Sequence, residues 1–83
     1  MMPAHILKIR KEFADAKLAG LKPWEIREAR YRKFSVGDIV YYEVVGEPDH
    51  PLSKTKRYRI DYVYDGPIGL IPGYVVFTDR EVA

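Results

Sequence analysis

Cysteine is absent from the sequence, and this absence excludes several kinds of chemistry. Without a thiol the chain forms no disulfide, no thiolate zinc site and no cysteine nucleophile. Secreted domains as short as these 83 residues usually need disulfides, so the composition predicts a reducing, cytoplasmic location. Histidine occurs only at His5 and His50, which are too few and too far apart in sequence to predict a metal site. We therefore expect no metal and no cofactor.

Long apolar runs are absent as well. No stretch approaches the roughly 20 apolar residues that cross a bilayer. The segment Met1–His5 also lacks the basic region and apolar run of a signal peptide, so no membrane partner is expected. Hydrophobic residues still make up 47% of the chain and aromatic residues 13%, which is enough for a packed core. A chain of 83 residues has room for one core, and we expect a single domain over residues 1–83.

The positive charges lie mostly in the first part of the chain, although the net charge is only +2. Residues 1–33 carry nine Lys or Arg and four Asp or Glu, whereas residues 34–83 carry five and eight. This asymmetry predicts one basic face and an anionic partner such as RNA, DNA or a nucleotide. The alternative is a solvated surface with unevenly distributed charges. The near-neutral total also permits a protein-interaction module without a nucleic-acid role.

Periodicity predicts one strand, one helix and four further strands. The apolar run His5–Ile9 is typical of a strand, and Lys11–Ala19 of a helix that Gly20 ends in a left-handed conformation. Such an order favours the α+β class, with a small mixed sheet curled into a partly open barrel of about five strands. Curling protects sheet edges that would otherwise lie exposed. The four later strands are expected at Trp24–Arg27, Ile39–Val45, Lys56–Tyr64 and Tyr74–Thr78.

The same patterns predict which side chains face the core. On the helix, Phe13, Ala16 and Gly20 fall on one face. On the second strand Trp24 and Ile26 share one face and Glu25 and Arg27 the other, and we expect Trp24 to anchor the core. On the fourth strand, alternation places one set of side chains along the barrel wall. That set is Tyr58, Ile60, Tyr62 and Tyr64.

The segment that follows the helix gathers charges of both signs beside a tryptophan. Lys22 precedes the second strand, and Glu25 and Arg27 share one face of it. A guanidinium offers two parallel donors, a carboxylate accepts, and an ammonium binds a phosphate or a carbonyl, so these residues predict a cleft for a polar, planar ligand. The alternative is an ordinary surface strand with a Glu–Arg pair.

A basic link connects the second and third strands. Cationic side chains neutralise phosphates and a tyrosine among them stacks on an unpaired base, so the link predicts a rim that contacts RNA. A second basic cluster, Lys54, Lys56 and Arg57, is expected near the same rim. The alternative is a flexible charged connection that keeps the protein in solution. The link consists of Arg30, Tyr31, Arg32 and Lys33.

Four pieces of the sequence together resemble one family. They are His5-x-Leu7-Lys8-Ile9, then Gly20-x-Lys22-x-x-Glu25-Ile26-Arg27, and Phe34-x-Val36-Gly37-Asp38-Ile39 with the closing Gly69-Leu70-x-x-Gly73-Tyr74-Val75-Val76. From about His5 to Phe77 the chain is similar to small bacterial and phage proteins of unassigned function in the group of activating signal cointegrator homology (ASCH) domains. These domains share a PUA-like barrel.

The resemblance implies an RNA-related role, in RNA metabolism or in the regulation of transcription or translation. Some small ASCH proteins hydrolyse N4-acetylcytidine, and in them a lysine matching Lys22 and a polar residue matching Glu25 act in the cleft, beside an arginine matching Arg27. Pro23 stands where these relatives usually have threonine, and the segment before the last strand lacks their catalytic glutamate. These departures favour binding over hydrolysis. The link from Arg30 to Lys33 is one residue longer than the family pattern and strongly basic, which also favours binding of an anion.

Overall fold

A computed structural model describes residues 4–53 and 56–83 of the chain. One helix follows the first strand and four further strands come after it, so the predicted curled sheet of five strands with a single helix is confirmed. The elements are β1 (Ala4–Ile9), α1 (Lys11–Leu18), β2 (Trp24–Glu28), β3 (Ile39–Val44), β4 (Arg57–Tyr64) and β5 (Tyr74–Val82).

The five strands form one sheet in the order β1-β3-β4-β5-β2. β1 pairs with β3 in parallel, and all the other neighbours are antiparallel. β1 and β2 are therefore the two edges, yet Arg27 Nη1 on β2 donates to the carbonyl oxygen of Lys8 on β1 at 2.9 Å. Edges separated by three intervening strands approach this closely only because the sheet curls into a half-barrel.

The core occupies the concave side of this half-barrel. Alternate residues of β1 and β3 point inward, as the period of two in an extended strand requires. Aromatic contacts extend the core, with the Phe34 ring 5.1 Å from that of Phe77. The largest fully buried side chains are Tyr42, Phe77, Leu52, Ile60 and Val40.

The predicted core position of Trp24 is wrong. Alternation along β2 is as expected, but Glu25 is 3% exposed while Trp24 and Ile26 are 42% and 51% exposed. The charged face of the strand points into the half-barrel because cations on neighbouring elements surround the Glu25 carboxylate there. Hydrophobicity alone assigns the two faces the wrong way round.

The predicted inner face of the helix is also wrong. Ala14 and Lys17 are the buried residues of α1, whereas Phe13 is 42% exposed and Gly20 lies at the surface. A lysine points inward because two carboxylates meet its ammonium there. Gly20 itself has φ +76°, so the predicted left-handed residue after the helix is confirmed.

A bulge in β4 changes which of its tyrosines face the core. Tyr58 and Ile60 are buried as expected, but the pairing with β5 shifts between Ile60 and Tyr62. The extra residue reverses the alternation, so Tyr62 is 61% exposed and Val63 packs against the core instead. The expectation that four alternating residues share the inner face therefore fails beyond Ile60.

The turn before β5 depends on Gly73, which has φ +89°. A methyl group there would lie 2.8 Å from Arg30 Nε and would also be held in the left-handed region. We expect Gly73→Ala to lower the free energy of unfolding by about 1–3 kcal/mol, measured by urea denaturation. Gly69→Ala is the matched control, because Gly69 has φ +85° but a methyl group there meets nothing within 4 Å. Equal losses in the two variants would contradict a steric contribution from Arg30.

Candidate functional site

The interior of the half-barrel holds a cluster of buried charges contributed by α1, β2 and β5. Lys17 Nζ donates to Asp79 Oδ1 at 2.7 Å and lies 3.2 Å from Glu25 Oε2. All three side chains are at most 3% exposed. Ionised groups this deeply buried persist only when partners of opposite charge satisfy them, so these three residues depend on one another.

Two further cations complete the cluster on its open side. Lys22 Nζ donates to Glu25 Oε2 at 2.7 Å and to the carbonyl oxygen of Trp24 at 3.1 Å. Arg27 Nη2 donates to Glu25 Oε1 at 3.1 Å. The structure thus brings together the three residues of the predicted cleft, with Lys22 and Arg27 both bound to the carboxylate of Glu25.

Tyr42 closes the cluster on the inner side. Its hydroxyl donates to Asp79 Oδ2, and Lys17 Nζ lies 5.1 Å from the centre of its ring and 5.4 Å from that of Tyr58. An ammonium at this distance from an aromatic ring is stabilised by the negative face of the ring. Within residues 4–53 and 56–83, every fully buried polar side-chain atom has a hydrogen-bond partner. The buried charges of the cluster therefore form a fully hydrogen-bonded network.

The two carboxylates of the cluster differ in acidity. Burial raises the pKa of Glu25, but the hydrogen bond from Lys22 and the charges of Lys17 and Arg27 outweigh it, so the pKa lies below the ordinary value. Burial also raises the pKa of Asp79, and there it prevails over the favourable contacts with Lys17 and Tyr42. Glu25 is accordingly an anion at neutral pH, since three cations hold it in that form.

A cavity of about 340 Å³ opens beside this cluster, between the edge strands β1 and β2 and the helix. Four cationic side chains line it against one carboxylate, which leaves an excess of positive charge. Lys22 Nζ lies 5.4 Å from the centre of the Phe13 ring and 4.9 Å from that of Trp24. The lining residues are Lys8, Ile9, Arg10, Phe13, Lys22, Trp24, Glu25, Ile26 and Arg27.

Arg27 also borders a second cavity, of about 280 Å³, further along the gap between β1 and β2. Tyr31 and Arg32 of the predicted rim line this cavity, with Leu7, Glu28 and Phe34. Tyr31 is 94% exposed, and the guanidinium carbon of Arg32 lies 5.9 Å from the centre of the Phe34 ring. Two residues of the link thus stand at the continuation of the predicted cleft.

The other two residues of the link lie apart from both cavities. Arg30 packs over Gly73 and its Nε lies 3.7 Å from Glu28 Oε2, so it faces the turn before β5. Lys33 is exposed and lines neither cavity.

The two described residues of the second basic cluster, Lys56 and Arg57, do not join the predicted rim. Lys56 Nζ donates to Glu81 Oε2 at 3.2 Å and Arg57 Nη1 donates to the carbonyl oxygen of Ala83 at 3.2 Å. Both residues therefore contact the end of β5. Lys54, the remaining member of that cluster, lies outside the described residues.

The two histidines make pairwise contacts in separate parts of the fold. His5 Nε2 lies 2.9 Å from Asp38 Oδ2 in the core, and His50 Nε2 lies 2.7 Å from Asp15 Oδ1 on the helix. Over residues 4–53 and 56–83, no three His, Cys, Asp or Glu side chains are grouped so that they could hold a metal ion. None of the helices in that part of the chain has the length and apolar character that crossing a membrane requires.

Sequence patterns missed several residues of the site. Lys17 lies three positions after Ala14 on the buried face of α1, a spacing that could have shown it pointing inward. Asp79 continues the buried alternation of Val75 and Phe77, but β5 was expected to end at Thr78 and extends to Val82. The cavity-lining residues Arg10 and Phe13 carried no local signal for the site, because their proximity to β2 arises from the curl of the sheet.

The fold and the site together define a class: a small half-barrel with one helix, a buried charge cluster and a cationic cavity between its two sheet edges. A family model described as "Domain of unknown function (DUF3850)" matches residues 4–78. The chain therefore belongs to this family. A comparison with curated proteins finds no match for it.

Proposed function

We propose that this protein binds a nucleotide, free or as part of an RNA, in the cavity beside Lys22, Glu25 and Arg27. The observation that carries the proposal is the lining of this cavity, where four cations stand against one carboxylate. A site with excess positive charge attracts an anion, and a phosphate accepts hydrogen bonds from ammonium and guanidinium groups. The wider role that we propose is in RNA metabolism or in the regulation of transcription or translation.

Aromatic side chains supply the second part of the recognition. Phe13 and Trp24 line the same cavity and are each 42% exposed, so their rings offer surface to a ligand. Nucleobases stack on such rings. Phosphate and base thus each meet a group of matching chemistry in one cavity of about 340 Å³.

We also propose that the half-barrel is of the PUA-like type found in ASCH domains. Support comes from the order of one strand, one helix and four strands, and from the segment Gly20–Arg27, which resembles the ASCH motif and borders the cavity. The cytoplasmic location is proposed on the absence of cysteine.

The experiment that tests nucleotide binding is titration with the four nucleoside monophosphates, followed by chemical-shift mapping and calorimetry. We expect shifts at cavity residues and an affinity that falls steeply with salt concentration. Lys22→Met should weaken binding about tenfold to a hundredfold, because it removes a charged donor. Lys56→Met is the matched control, since Lys56 pairs with Glu81 away from the cavity.

A second pair of variants separates loss of binding from loss of folding. Lys8→Ala and Arg10→Ala remove cations that line the cavity but are themselves exposed at the surface. Both variants should fold like the unaltered protein and bind nucleotide more weakly. If all four monophosphates leave the spectrum of the unaltered protein unchanged, the nucleotide proposal is wrong.

Hydrolysis of a modified nucleoside such as N4-acetylcytidine is the second candidate, because Lys22 and Glu25, which match the residues that act in the ASCH amidohydrolases, lie side by side with Lys22 Nζ 2.7 Å from Glu25 Oε2. In this geometry Lys22 donates to the carboxylate, so its ammonium holds the proton that a general base must lack. No Ser, Thr or His lines the cavity among the described residues. We therefore expect no release of acetate from N4-acetylcytidine. Release that Lys22→Met abolishes would replace binding with hydrolysis as the function.

A further inference from the structure

The two cavities are parts of one slot between the edge strands β1 and β2, and Arg27 is the one described residue that lines both of them. On the β1 side the first cavity is lined by Lys8, Ile9 and Arg10 and the second by Leu7, so the two are contiguous along that strand. The guanidinium of Arg27 separates them, because its Nη1 reaches across the slot to the carbonyl oxygen of Lys8. A ligand longer than the first cavity therefore meets Arg27 next.

Arg27 has donors to spare at this position. A guanidinium carries five N–H groups. One goes to the carbonyl oxygen of Lys8 and one to Glu25 Oε1, and the other three have no partner among the described residues. The side chain is 23% exposed, so an anion in the slot can reach these donors. Its two existing bonds hold the guanidinium plane in place, which favours two-pronged recognition of a phosphate.

The second cavity offers the surface that a neighbouring base needs. Tyr31 is 94% exposed, which leaves its ring free to stack. Arg32 adds a positive charge to the same cavity. Its guanidinium lies over the Phe34 ring and is available to a phosphate. Among residues 4–53 and 56–83, Glu28 is the only acid that lines this cavity.

We infer that the slot binds two consecutive nucleotides of a single strand, one unit in each cavity, with the phosphate that joins them on Arg27. The inference rests on the proposed function and extends it, because it makes a strand and not a free mononucleotide the preferred ligand. The base of the second unit stacks on Tyr31. A duplex is excluded as the ligand, since its bases are stacked on one another and unavailable to these rings.

The test compares each nucleoside 5′-monophosphate with the dinucleoside monophosphate of the same base, by calorimetry at fixed salt. The dinucleoside monophosphate carries the smaller negative charge, so simple attraction to a basic surface favours the mononucleotide. Two subsites favour the dinucleoside instead, and we expect it to bind at least about tenfold more tightly. The ribose and deoxyribose forms distinguish RNA from DNA as the source of the strand.

Tyr31→Ala assigns the second subsite. Loss of one stacked base should lower affinity for the dinucleoside about 5- to 100-fold and bring it close to that of the mononucleotide. Tyr62→Ala is the matched control, because Tyr62 is also an exposed tyrosine but lies on the outer face of β4. This control should leave both affinities unchanged.

The outcomes separate the two proposals. Mononucleotides that bind as tightly as dinucleosides, or more tightly, overturn the two-subsite inference and leave the proposed function standing. A dinucleoside advantage that survives in Tyr31→Ala overturns the assignment of the second unit to this cavity. If neither ligand binds, the proposed function fails and the inference fails with it.

Discussion

Lys17→Met is expected to lower the free energy of unfolding by about 3–5 kcal/mol at pH 7. The ammonium of Lys17 lies between Glu25 and Asp79, and all three side chains are almost fully buried. Removing it leaves two carboxylates in the interior without the cation that separates them, and an unpaired buried charge is far more costly than an exposed one. Urea denaturation followed by circular dichroism measures the effect.

Two companion variants show whether buried charge is the cause. The double variant Lys17→Met with Asp79→Asn removes one charge of each sign and should recover part of the loss, because the asparagine still accepts from Tyr42. Lys11→Met is the control: Lys11 pairs with Asp15 at the surface, where water screens the pair, so its loss should lower the free energy of unfolding far less. A cost for Lys17→Met no larger than that of Lys11→Met would contradict the proposed importance of the cluster.

Glu25→Gln is expected to cost about 3 kcal/mol at pH 7, because three cations then surround a neutral amide. Folding lowers the pKa of Glu25 from its ordinary value of 4.5, so the ionised form stabilises the folded state. That contribution is present above pH 4.5 and is lost as the pH falls through the lower pKa of the folded protein. The variant should therefore lack this part of the acid destabilisation.

The pKa of Asp79 shifts on folding in the direction opposite to that of Glu25, so its pH dependence tests the cluster a second time. Its pKa is raised by folding, so its contribution favours the folded state at low pH and is lost as the pH rises through the folded value. Denaturation curves of Glu25→Gln and Asp79→Asn, recorded from acid to neutral pH, should differ from the unaltered protein in opposite directions. Glu28→Gln is the control, since Glu28 lies on the same strand but is exposed. An acid limb that Glu25→Gln leaves unchanged would disprove the role given to this carboxylate.

Local patterns were sufficient for the elements of this fold and for part of the site. Turn residues and alternation located the helix and all five strands, because these signals depend only on neighbours in sequence. Lys22, Glu25 and Arg27 lie within six residues of one another, and strand geometry places Glu25 and Arg27 on the same side of β2. The residues that complete the cavity come from β1 and α1, and only the closure of the half-barrel brings them there.

The errors in side-chain orientation on β2 and on the helix share one physical cause. Hydrophobicity assigns large apolar residues to the interior, and it therefore predicts Trp24 in the core and the face of Glu25 and Arg27 away from it. Here several charges satisfy one another in the interior, and that mutual compensation is not visible in any single residue. The reversal beyond Ile60 has a different origin, since a bulge adds one residue to β4 without any proline or glycine to announce it.

The edge strands β1 and β2 approach each other across a charged slot, and this arrangement also opposes aggregation of the protein. Open sheets recruit further chains through unsatisfied backbone groups at their borders. An intruding strand would here have to displace the Arg27 contact to Lys8 and strip water from several ammonium and guanidinium groups. Without Arg27 the edge strands are easier for another chain to pair with. Solutions of an Arg27→Ala variant should therefore bind amyloid dyes after a shorter incubation than those of the unaltered protein.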